Sequence, residues 1–187
     1  MAGGTMRGAL EWAGLAVVLG WAGFALAGLW AGPPGASAAG VAVAALVPAW
    51  RGNVVVAGAM ALLSPLGVML PALALRHVAA AWGLPVVPFA TAELLIFLAA
   101  YGIFLASAMG LVPVDLYRLG YAPVPVAAMV LAVCGYGAWS GAVFLPLVAV
   151  AGQALWVAGL GSSNWFDHVL HALLVPVVVV ALIARAV

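Results

Sequence analysis

Apolar residues run through this chain in long blocks, interrupted only by short clusters of Gly, Pro and isolated charges. Blocks such as Leu94-Leu95-Ile96-Phe97-Leu98 and Val177-Val178-Val179-Val180 are apolar on every face, with none of the alternation of a barrel strand. In hydrocarbon every backbone N–H and C=O must be satisfied within the protein, which leaves helices once the barrel is excluded. The pattern therefore predicts an all-α fold, a polytopic transmembrane helical bundle. A spanning helix needs about 20 mostly apolar residues. The punctuation divides the 187 residues into seven spans, or six if the short second one is re-entrant.

The predicted spans cover residues 9–31, 37–50, 54–75, 87–112, 124–138, 142–158 and 165–184. Gly32-Pro33-Pro34-Gly35 ends the first, Arg51-Gly52-Asn53 the second and Arg76-His77 the third. Residues 113–121, with Asp115, Tyr117, Arg118 and Tyr121, form the most polar loop. Arg7 followed by the apolar run 15–30 imitates a secretion signal, but the run exceeds a signal core of about 7–15 residues and predicts a retained first span. Trp12, Trp30, Trp50, Trp82, Trp139 and Trp165 fall at predicted span ends, where an indole keeps its ring in the acyl region and its N–H near water. Ala16 and Gly20, and Gly28 and Gly32, stand four apart, a spacing that lets helix backbones approach. Pro65, Pro71, Pro146 and Pro176 fall inside predicted spans, where each removes a backbone donor and bends the helix.

Composition strengthens the lipid reading. Hydrophobic residues make up 69% of the chain and charged residues 5%, against about 25% charged in a soluble domain. Five Arg, no Lys and four Asp or Glu cannot solvate the surface of a water-soluble domain, and a net charge of +1 gives no reason to expect nucleic acid. The chain is predicted to be one helical membrane domain over residues 1–187, with no separate soluble domain. Cys134 is the only cysteine, so an internal disulfide is excluded. Seven spans place Arg7, Arg51 and Arg118 at one face and Arg76 and Arg185 at the other, which predicts a cytoplasmic N-terminus in a bacterial-type inner membrane. Glu11, Asp115, Asp167, His168 and His171 share the face of Arg7, while His77 and Glu93 share that of Arg76.

Few residues can carry chemistry. In Asn164-Trp165-Phe166-Asp167-His168-Val169-Leu170-His171, Asn164 is placed to cap a helix, with Asp167 in its first turn meeting the unpaired N–H groups and the positive end of the dipole. The same spacing puts Asp167 and His171 on one helix face, with His168 about 100° round, so that Asp167, His168 and His171 form a candidate proton, ligand or metal site. His77 lies at the opposite face, so a bis-histidine haem would need another topology. Glu93 falls inside the fourth span, where an unpaired carboxylate is costly, and Arg76 or His77 is its expected partner. Asp115 and Arg118, three apart, are expected to staple their loop, Arg7 and Glu11 to anchor an interface, and Gln153 to bond between helices or line a pathway. No His-Glu-x-x-His, Walker loop or Cys-x-x-Cys occurs, and a chain without Lys cannot form a Schiff base.

The expected function is that of a non-catalytic subunit or helper of a larger membrane assembly, packing on lipid, on other membrane subunits or on itself through Gly/Ala helix faces. Two alternatives stand beside it. One is a small-solute or proton-linked transporter or channel using Glu93, Gln153 and the Asp167/His171 face. The other is a membrane-embedded enzyme holding a transition metal or haem at Asp167, His168 and His171. No cofactor is required by the first reading.

Overall fold

A computed structural model describes residues 2–186, with side chains from residue 6 onward. Among the described residues the chain is entirely helical. Its helices are α1 (Ala2–Ala27), α2 (Pro33–Ala49), α3 (Val54–Leu63), α4 (Met69–Ala81), α5 (Thr91–Ala108), α6 (Pro123–Ser140), α7 (Phe144–Val157), the one-turn α8 (Phe166–Val169) and α9 (Leu174–Ala186). A 3₁₀ turn, Tyr117–Tyr121, lies in the loop between α5 and α6.

The helix lengths do not support seven spans. Three helices are long and apolar enough to cross a membrane, Met6–Ala27, Thr91–Ala108 and Pro123–Ser140, and a fourth counts if α2 and α3 are one span bent by 100°. Helices α4, α7 and α9 have 13, 14 and 13 residues, or about 20 Å at 1.5 Å per residue, short of a hydrocarbon core of about 30 Å. Only 17% of each long helix's apolar window is buried within the protein, so these outward faces suit lipid rather than water.

Proline explains the correction. Pro71, Pro146 and Pro176 are each the third residue of a helix, α4, α7 and α9 respectively. The N–H groups of a first turn have no intrahelical partner, so proline costs nothing there and acts as a starter rather than a kink. The predicted span 54–75 therefore ends as α3 at Leu63 and restarts as α4 at Met69, with Pro65 in the gap. The predicted span 165–184 is divided likewise, α8 stopping at Val169 and α9 starting at Leu174.

Two apolar cores hold the helices. Leu15, Val47, Val56 and Leu63 bury the junction of α1, α2 and α3. Val126, Val130, Val148, Ala149, Trp165, Phe166 and Val169 bury the junction of α6, α7 and α8. Backbone closeness matters in the α1–α2 hairpin, where a Cβ on Gly20 would lie 2.9 Å from the Gly40 carbonyl oxygen. Trp165 is a further correction: it is 5% exposed in the second core, and its indole N–H is buried without a partner instead of reaching an interface.

Candidate functional site at two broken helices

The two interrupted helices meet at their breaks. The N–H of Val68, just before α4, donates to the carbonyl of His168 in α8 at 2.6 Å. A Cβ on Gly67 would lie 2.5 Å from that same oxygen, so the approach requires glycine. His171, in the gap before α9, accepts the Leu173 N–H on Nδ1 at 3.1 Å. The imidazole thus satisfies a backbone N–H that the start of α9 leaves unpaired.

Asp167 is held by side chains rather than by its own helix. The Tyr117 hydroxyl donates to its two carboxylate oxygens at 3.0 and 2.9 Å, and the Ser162 hydroxyl donates to one of them at 2.5 Å. Asn164, fully buried, accepts the Phe166 N–H on Oδ1 at 2.9 Å and donates from Nδ2 to the Tyr117 carbonyl at 2.8 Å. Asn164 thus bonds the first N–H of α8 from one residue before the N-cap position, which Trp165 holds, while the carboxylate of Asp167 faces the 3₁₀ turn. The Trp165 N–H donates to the Gly120 carbonyl at 2.9 Å, and a Cβ on Gly120 would lie 1.9 Å from Asn164 Oδ1. His168, 4% exposed, bonds through Nε2 to the Ser162 carbonyl at 3.0 Å. Phe104 and Phe166 flank the Tyr117 ring. Burial first, then the Asp167 carboxylate, push the Tyr117 phenol well above its ordinary range, so its hydroxyl stays a donor.

This geometry changes the Asp167/His171 pairing. Because α8 ends at Val169, the two residues do not share a helix face, and each is engaged with a different element. Among the described residues no three His, Cys, Asp or Glu side chains gather closely enough to hold a metal. His77 is elsewhere, its Nδ1 accepting the Trp21 indole N–H at 2.9 Å between α4 and α1.

Glu93 also departs from expectation. The prolines at 85 and 88 lie in a segment without regular structure, α5 starts at Thr91 and Glu93 falls in its first turn. Its carboxylate accepts the Ala90 N–H at 2.5 Å and the Tyr136 hydroxyl from α6. Arg76 does not form the expected ion pair: it donates to the Val87 carbonyl and lies over the rings of Phe89 and Phe144, at 4.3 and 4.8 Å. Asp115 and Arg118 form no ion pair either. Asp115 Oδ1 accepts the Arg118 backbone N–H at 3.1 Å, a turn contact. Among the described residues the one ion pair is Arg7–Glu11, at 3.1 Å. Gln153 sits half-buried on α7.

Sequence reasoning missed Ser162, Tyr136 and Arg185. Tyr136 is 43 residues from Glu93, and nothing local marks the pair. Arg185, near the end of α9, donates to the Thr91 hydroxyl at 3.2 Å and the Phe89 carbonyl at 2.8 Å. Compared with protein-family models, curated proteins and solved structures, the chain matches none.

Proposed function

We propose that this chain is a non-catalytic subunit or helper of a larger membrane assembly, resident as a multi-pass protein in a bacterial-type inner membrane with its N-terminus in the cytoplasm. The observation that carries the reading is the use made of the carboxylates. Asp167 accepts from Tyr117 and Ser162, and Glu93 from Ala90 and Tyr136, so each acts as a clamp between elements. Catalysis needs a nucleophile or metal beside a positioned acid or base free to exchange a proton. The outward face of α6 supports assembly: Ala128, Ala132 and Gly135 are exposed, and a Cβ on Gly135 would meet nothing. Small residues at helical spacing suit close helix packing in lipid.

The test is particle size after extraction in mild detergent. Wild-type protein expressed at native level runs in a complex larger than its own micelle, and Gly135→Leu shifts it to the size of the single chain without changing its melting temperature. Wild-type protein running as a single chain in native membranes would overturn the reading.

A proton- or solute-linked transporter is a second reading, favoured by one feature: a cleft of about 480 Å³ reaches Glu93 and Arg76 beside the segment before α5. Reconstituted vesicles test it, and flux that Glu93→Gln abolishes would move it to first place.

A further inference from the structure

A second cleft, of about 470 Å³, opens between α1, α4, α5 and α9. We propose that it binds an anionic phospholipid, with the phosphodiester at Arg76 and Arg185 and one acyl chain along the apolar floor. The charged and titratable side chains that line it are Arg76, His77 and Arg185, and no carboxylate is among them. Glu93 lines the neighbouring cleft, which shares Arg76, with its oxygens already engaged by Ala90 and Tyr136.

The two guanidiniums are held by one short segment before α5. Arg76 bonds the Val87 carbonyl and Arg185 the Phe89 carbonyl, groups two residues apart and so at most about 7 Å of chain from one another. Each guanidinium has five N–H donors. One bond from Arg76 and two from Arg185 leave most of them free for anionic oxygens, which arginine engages with strong, charge-assisted bonds. His77 holds its ring against the Trp21 indole through Nδ1, which leaves Nε2 to carry the proton and donate.

Below this basic mouth the wall is hydrocarbon, formed by Leu70, Leu73 and Val177 among others. From His77 to Leu70 along α4 is about 10 Å at 1.5 Å per residue, a depth suited to the upper part of an acyl chain. A basic pocket between apolar helices, polar at one end and aliphatic at the other, matches a lipid with an anionic head. A free anion would leave that floor uncovered.

Binding is measured on delipidated full-length protein in maltoside micelles, titrated separately with phosphatidylglycerol, phosphatidylcholine and oleate and read by Trp fluorescence. Phosphatidylglycerol is expected to bind at least about tenfold tighter than phosphatidylcholine, which has the same phosphodiester but brings its choline cation beside two guanidiniums. Arg76→Gln/Arg185→Gln removes that preference, and Val177→Phe, which fills the floor about two turns of α9 away from Arg185, weakens phosphatidylglycerol by a similar factor. If the double variant does not fold, Val177→Phe and the wild-type comparison decide. Equal binding of the two phospholipids, or binding unmoved by Val177→Phe, overturns the proposal. Oleate binding as tightly as phosphatidylglycerol also overturns it, in favour of a fatty acid.

Discussion

Replacing Tyr117 with Phe removes one oxygen and leaves the ring packed on Phe104, Phe166 and Tyr121 in place. That oxygen donates to both carboxylate oxygens of Asp167, whose remaining side-chain donor is Ser162. Hydrogen bonds to a charged group contribute about 1.5–3 kcal/mol each, and the half-buried setting favours the lower part of that range. Tyr117→Phe should therefore cost about 2 kcal/mol. At about 2–4 °C per kcal/mol for a chain of this size, the melting temperature in a fixed detergent falls by about 4–8 °C. Asp167→Asn keeps the shape and loses the charge, so its effect overlaps with that of Tyr117→Phe. A double-mutant cycle then returns a coupling of at least about 1 kcal/mol, well above the roughly 0.3–0.5 kcal/mol scatter of independent sites. The two substitutions adding independently would refute the clamp, even if each alone were destabilising. The phenol supplies a pH check. Its folded value is raised above the ordinary value of about 10, so the folded state keeps a proton that the unfolded state loses. Stability from this group is whole below about pH 10 and declines as the pH rises toward the folded value. Wild-type protein should lose more stability between about pH 10 and 11 than Tyr117→Phe does.

Glycine substitutions separate positions where the backbone needs space from those where it does not. Gly67→Ala places a Cβ 2.5 Å from the His168 carbonyl oxygen and should lower the melting temperature sharply, whereas Gly102→Ala, with nothing near it in mid-α5, should raise stability by about 0.5–1 kcal/mol. His171→Phe keeps the bulk but leaves the Leu173 N–H unsatisfied, for an expected cost of about 1–3 kcal/mol in the same melt. Tyr136→Phe removes the donor to Glu93 from α6 and should loosen the α5–α6 contact, read as faster amide exchange in the first turn of α5.

The helical class was legible because uniform apolarity leaves the backbone no other way to close its hydrogen bonds. The number of spans was not. Hydropathy runs unbroken through Pro71 and Pro176, and local sequence does not say whether a proline bends one helix or starts another. Ser64-Pro65-Leu66-Gly67 did contain turn-forming residues, and Gly67 proves to be where α8 approaches. No comparable signal marks Leu170-His171-Ala172-Leu173, beside which the segment before α4 bonds the His168 carbonyl, a partner 100 residues away. The bond from Asn164 to the start of α8 was legible since its partner, Phe166, is two residues away. The partners of Asp167 and Glu93 were not, since Tyr117 and Tyr136 are 50 and 43 residues distant. Arg76 was matched to Glu93 by nearness in sequence, and the 85–90 segment offers it a carbonyl and two rings first.

Amide hydrogen exchange in lipid nanodiscs bears most directly on the two breaks. If His171 and the Val68–His168 bond hold them shut, the N–H groups of Val68 and Leu173 exchange as slowly as those in the middle of α5 and α6, and His171→Phe accelerates Leu173 selectively. Exchange at Val68 and Leu173 as fast as in the 159–163 loop would mean that the half-helices part freely, and the stapled bundle would be wrong.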